Sequence, residues 1–192
     1  MFIPSPARSE ATERLYQESQ SSEGFVMNLT RAWAWRPDIF QGFADLRSRL
    51  TGQSSLSKRE LAVLVCAAAS QLGDSYCSLA WGRTLAREAD AAGAAAILEG
   101  GDAASLTARD RALAEWARKV VRDPNGTRAG DIEALRAAGL AEQEIFDATV
   151  FVAFWLAFCV VNDALGVAPD ADLARQVPPE VRKAVSFGRE PV

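Results

Sequence analysis

The sequence contains no histidine, and in 192 residues it has only three cysteines, two methionines and two tyrosines. The missing imidazole is the most restrictive of these. It excludes Ser-His-Asp and Cys-His relays, zinc-protease motifs and any histidine metal ligand. Three thiols cannot by themselves close a four-thiolate zinc site, so neither a metal nor a cofactor is expected. An odd number of cysteines does not make a disulfide framework, and a reducing cytoplasm is the expected location. The 21 basic residues are spread along a chain of net charge −4, without a run that would track phosphates, so nucleic acid is not an expected partner. The opening MFIPSPARSEATERLYQ lacks the basic and apolar regions of a secretory signal. The uncharged stretch from Ala148 to Val161 falls short of the roughly 20 apolar residues that span a bilayer, so a membrane is not expected either.

Helix formers and hydrophobic residues are abundant, the latter at 49%. Alanine, leucine, arginine and glutamate dominate and no stretch alternates like a strand, so the expected fold class is all-α. Ser57-Lys58-Arg59-Glu60 has capping-box spacing, and Leu61, Leu64, Val65, Ala68 and Leu72 then fall on one helical face. Gly73 ends that helix and Asp74 can cap the next, which runs through Cys77 and Trp81. Leu106-Thr107-Ala108-Arg109-Asp110 matches Leu56-Ser57-Lys58-Arg59-Glu60 in type at all but one place, a faint internal repeat or simply two similar capped helices. Asp123-Pro124-Asn125-Gly126 reads as a turn, and Ala129 to Ala138 as a short helix closed by Gly139. The stretch 148–161 is apolar on all sides, which implies burial all round, at the domain centre or in a subunit interface.

Taken together, Leu56-Ser57-Lys58-Arg59-Glu60, the Ala-rich helix after it, Tyr76-Cys77, Leu135-Arg136-Ala137-Ala138-Gly139-Leu140 and Ala164-Leu165-Gly166-Val167 resemble the carboxymuconolactone decarboxylase and alkylhydroperoxidase D (AhpD)-like superfamily. Asn28 and Arg36-Pro37 match its peroxidase-related branch. The resemblance implies a helical domain over residues 25–168, preceded by a helical extension (1–24), followed by a tail (169–192), and assembled into homo-oligomers. It also implies a Cys-x-x-Cys-x-x-x-His motif with a glutamate twelve residues before the first cysteine, the acid–base pair relaying protons while the thiols reduce a peroxide.

On this chain the glutamate position is Ala62, the first cysteine Asp74, the second Cys77 and the histidine Trp81, so one group of four is kept. Glu60 is two residues from the glutamate position, a rotation of about 200° along a helix, and reads as the capping partner of Ser57. Where the branch commonly has Asn-Arg in its last long helix, this chain has Cys159-Val160.

A thiol in the first turn of a helix is normally acidified, but the Asp74 cap and Trp81 one turn away oppose that, so Cys77 is expected to be a neutral thiol. Cys66 is the only partner expected for it, with packing as its other role, and Cys159 is expected to be structural. Trp33, Trp35 and Phe40 read as core. Asp38, Asp45, Glu142 and Glu144 read as solvated faces.

Two functions follow from these residues. One is a non-catalytic or weakly active relative that binds a small apolar molecule or a protein in a former-site cavity bounded by Ala62, Asp74, Tyr76 and Trp81. The other is a one-cysteine thiol peroxidase with peroxiredoxin-type antioxidant activity, taking a hydroperoxide at Cys77.

Overall fold

A serine and a threonine, Ser57 and Thr107, start the two helices around which the rest is arranged. The computed structural model describes all 192 residues, in eleven α-helices with no strand. Ser57 caps α4 (Lys58–Leu72) by accepting from the Glu60 amide, and Thr107 caps α7 (Ala108–Arg122) by accepting from the Asp110 amide. Both are complete capping boxes, and they are clamped to each other. Arg59 of the first box donates to Asp110 of the second, with Nη2 to Oδ2 at 2.7 Å. Arg109 of the second donates to Glu60 of the first, with Nε to Oε1 at 2.6 Å. This reciprocity gives the sequence repeat a physical basis. Arg109 also reaches the Gly139 carbonyl (2.6 Å) and Glu144 (3.0 Å), which ties in the start of α9 (Glu142–Ala164).

The helix surrounded on all sides is α4. Every residue from Leu61 to Ala69 is buried, because its alanines and Cys66 let neighbours approach closely. It packs against α7, α9, α5 (Ser75–Glu88) and α6 (Ala91–Glu99). The expected single stripe on α4 is therefore only part of its buried surface.

Within one chain, the apolar stretch 148–161 is covered on one face only. It belongs to α9, whose Phe151, Trp155, Phe158 and Cys159 are buried while Phe146 (65%), Val160 (47%) and Val161 (37%) are exposed. By length and composition this 23-residue helix could cross a bilayer; in this fold one face of it is committed to the core. Its apolar character all round reflects a core face plus an uncovered face.

Before α4, the chain forms α1 (Glu10–Glu23), α2 (Asn28–Trp33) and α3 (Pro37–Gly52); between α7 and α9 lies α8 (Ala129–Ala137). Residues 169–192, expected as a tail, carry α10 (Ala171–Gln176) and α11 (Pro179–Ala184), with Leu173, Val177 and Val181 buried in the same core. A Cβ at Gly82 would lie 2.6 Å from Val181 Cγ1, so the glycine lets α11 close on α5.

Burial alone would raise the carboxyls of Asp110 and Glu60, but hydrogen bonds from Arg59 to Asp110, and from Ser57 and Arg109 to Glu60, hold both below the usual range. The Ala141 amide and Arg109 hold Glu144 down in the same way. Such groups stabilise the fold above their unfolded pKa, about 4, and that stability is lost as pH falls through their folded values. Arg59→Met strands the buried Asp110 carboxylate and should cost about 3 kcal/mol, roughly 10 °C in Tm. The gap between variant and wild type, measured by thermal melts, should narrow as the pH is lowered below about 4. An unchanged Tm at neutral pH would show that the clamp contributes nothing.

Candidate functional site

The turn from α4 into α5 places the site. Gly73 adopts φ +85, a left-handed conformation that glycine tolerates, and ends α4. Asp74 follows as N-cap of α5, one carboxylate oxygen accepting from the Cys77 amide at 3.0 Å. Ser75, Tyr76 and Cys77 make the first turn, and all are buried. Ser75 Oγ donates to the Arg189 carbonyl (2.8 Å) and accepts from the Arg189 amide (3.0 Å), so residues near 189 strap this turn in place.

Across from that turn, α9 delivers Cys159. A carboxylate oxygen of Asp74 and the sulfurs of Cys77 and Cys159 all lie within 4.8 Å of one another, and all three residues are buried. Cys159, expected to be structural, stands beside Cys77, while Cys66, the partner expected for Cys77, is fully buried in the middle of α4 and outside the group. Spacing along one helix says nothing about which residue a distant helix will bring. A signal was nevertheless present: Cys159-Val160 occupies the place of the polar pair that the resemblance puts in the last long helix.

Cys77 is pushed well above the ordinary thiol range by its hydrogen bond with Cys159, by burial and by the Asp74 charge. Cys159 is drawn down by that hydrogen bond, but burial and Asp74 outweigh it and leave it at about 11. Both are neutral thiols at pH 7. Burial and Asp74 raise the Asp163 carboxyl to about 6, against the opposing charge of Arg189. The second carboxylate oxygen of Asp74 has no hydrogen-bond partner.

Above Cys77 lies a cavity of about 570 Å³ with an aromatic wall of Phe40, Phe43, Trp81, Phe154, Trp155 and Phe158. Tyr76, Cys77 and Trp81 border it; Ala62 and Asp74, expected there too, do not. Ala62 sits in the surrounded part of α4, and Asp74 is turned toward the cap and the sulfurs. The Tyr76 hydroxyl is engaged, donating to the Asp170 carboxylate, which also accepts from the Asn28 amide at 2.9 Å. Trp81 packs edge-on to Trp155 with centroids 5.1 Å apart. Trp155 Nε1 and Arg83 Nε are buried and have no hydrogen-bond partner. Trp33 is core, stacked on Phe158 at 5.0 Å and donating to Asn162 at 2.8 Å, whereas Trp35 is exposed. The other carboxylates are committed elsewhere: Asp38 to Arg36, Asp45 to Gln41, Glu142 to Arg136 and Glu144 to Arg109.

No protein-family model and no curated protein matches the chain. Solved structures do. A peroxidase-related protein from Silicibacter sp. TM1040 superposes with a TM-score of 0.78 at 24% identity, over 90% of this chain and 93% of that one. The peroxidase-related protein with an alkylhydroperoxidase AhpD core from Ralstonia eutropha JMP134 gives 0.74 at 24%, over 100% and 97%. A cysteine-to-alanine variant of the debrominase Bmp8, in complex with 2,3,4-tribromopyrrole, gives 0.74 at 15%, over 92% and 95%.

Because the nucleophile is the thiolate, alkylation of Cys77 should accelerate about tenfold per pH unit from neutrality, without a plateau below about pH 9. Asp74→Asn keeps an oxygen for the cap and removes the nearby negative charge, so its profile should shift to lower pH. Iodoacetamide kinetics with peptide mapping would read both; a plateau near pH 7 in the wild type would contradict the burial argument.

Proposed function

We propose that this chain, which has the AhpD-like fold of peroxidase-related proteins, binds a small, flat, largely apolar molecule and reduces it slowly through Cys77, without the rate of an efficient alkylhydroperoxidase. The observation that carries this reading is an aromatic cavity of about 570 Å³ bordered by the Cys77 thiol.

The electrophile class that fits is an aralkyl hydroperoxide or a halogenated heteroarene. The tribromopyrrole complex of Bmp8, in the same fold, favours the flat ring. Slowness follows from what is missing. Alanine stands at position 62 and tryptophan at 81, so no side chain there can relay protons, an effect that typically contributes about 10²–10⁴-fold.

Self-association belongs to the same reading. On α9, Phe146, Val150, Ala153, Ala157 and Val160 recur at alternating intervals of four and three, the spacing of a helix-pairing seam, and only Val150 is half-covered. A second copy of the chain fits that face. Phe154 is not a suitable probe, since it is buried within the protomer.

Tryptophan fluorescence tests the ligand. Titration with 2,3,4-tribromopyrrole or cumene hydroperoxide should give saturable quenching. Quenching that never saturates would reject the cavity as a binding site. Wild-type turnover of cumene hydroperoxide should be little faster than that of a free thiol; efficient turnover abolished by Cys77→Ser would replace this reading with a true peroxidase. For assembly, light scattering should show an oligomer that Phe146→Glu combined with Val160→Glu dissociates, and a wild-type monomer would reject it.

A further inference from the structure

We propose that Cys77 and Cys159 form a redox dithiol built across two helices, in which Cys77 attacks, Cys159 resolves, and Asp74 carries the proton between them. The inference rests on the preceding reading only for the body of the electrophile.

Three observations combine. First, access is unequal: Cys77 borders the cavity, and neither Cys159 nor Asp74 does. An oxidant in the cavity therefore meets one sulfur, while the second sulfur lies within 4.8 Å of the first. A disulfide needs about 2 Å between sulfurs, so two short side chains share an approach of roughly 3 Å. Second, Asp74 is fully buried, with one oxygen capping Cys77 and the other unpartnered. A buried carboxylate oxygen without a donor is costly, and the thiols are the groups beside it that carry protons. Third, the cluster has three donors and no histidine, one short of a closed tetrahedral metal site.

With a hydroperoxide the steps balance as follows. The Cys77 proton passes to Asp74, the sulfur attacks the terminal peroxide oxygen, the S–O bond forms and the O–O bond breaks. The departing alkoxide takes the proton and leaves as an alcohol. Cys159 then attacks the sulfenic sulfur; its own proton passes through Asp74 to the departing hydroxide, and water leaves as the S–S bond closes. The chain has given up two electrons. An external dithiol restores both thiols and becomes a disulfide itself.

The test uses the reduced full-length protein freed of reductant. One portion is treated with hydrogen peroxide and another with cumene hydroperoxide, each at one equivalent, followed by acid quench, alkylation and non-reducing peptide mapping. The expected result is loss of two of the three thiols, a peptide linking Cys77 to Cys159, and free Cys66. Cys159→Ser should stop at a Cys77 sulfenic acid trapped by dimedone, and Cys77→Ser should consume no thiol. Asp74→Asn should titrate its thiols at lower pH yet close the disulfide about tenfold more slowly at equal thiolate fraction. Circular dichroism of each variant separates these outcomes from misfolding. A disulfide through Cys66 or between chains, three thiols surviving both oxidants, or thiols masked by stoichiometric zinc until a chelator is added would each overturn the proposal. Closure by hydrogen peroxide with no preference for cumene hydroperoxide would reject the cavity reading and leave the dithiol standing.

Discussion

The crossed ion pairs between the two capping boxes, Arg59 with Asp110 and Arg109 with Glu60, govern where everything else arrives. They fix the starts of α4 and α7 against each other. The start of α4 sets where α4 ends, and its end sets the Gly73-Asp74 turn that aims Cys77. Arg109 also holds Glu144 in the first turn of α9, and α9 runs from there to Cys159. Two sulfurs far apart in sequence thus meet because one guanidinium holds the beginnings of both paths. Ion pairs of this kind stabilise little in water; with Asp110 buried, their value lies in geometry, since an unpaired carboxylate there is costly.

Much of this was legible in the residues. The all-α class, both capping boxes, the Gly73 stop and the Asp74 cap all follow from local rules, because each depends on neighbours within a turn. The likeness of the two boxes was visible as a faint repeat, though their pairing and its crossed arginines were not. What sequence could not assign was which helix is surrounded. Hydropathy pointed to α9, while α4 occupies the centre because small residues permit close approach, a property of packing and not of polarity. The nearness of Cys159 to Cys77 is hidden from the sequence for a related reason: among phenylalanines and valines it looks like filler, and only the α5–α9 geometry makes it a neighbour of Cys77.

Where the motif that the sequence resembles has a thiol, an imidazole and a carboxylate, this chain has Asp74, Trp81 and Ala62. What the fold places at this turn is an aromatic cavity bordered by Cys77, with two neutral thiols side by side.

The Asp163 carboxyl, raised to about 6, has a consequence for how mild acid acts on this site. In a chain without histidine it is a side chain that changes charge near pH 6, with Arg189, Asp74 and Cys159 as its charged or titratable surroundings. The nucleophilic form of a thiol is its anion, and the Asp163 charge disfavours that form of Cys159. Acidification through this range therefore neutralises a repelling group just as protons become more plentiful, and the two effects partly cancel. Around pH 6, then, the change of charge beside Cys159 works against the loss of thiolate that acid alone would bring.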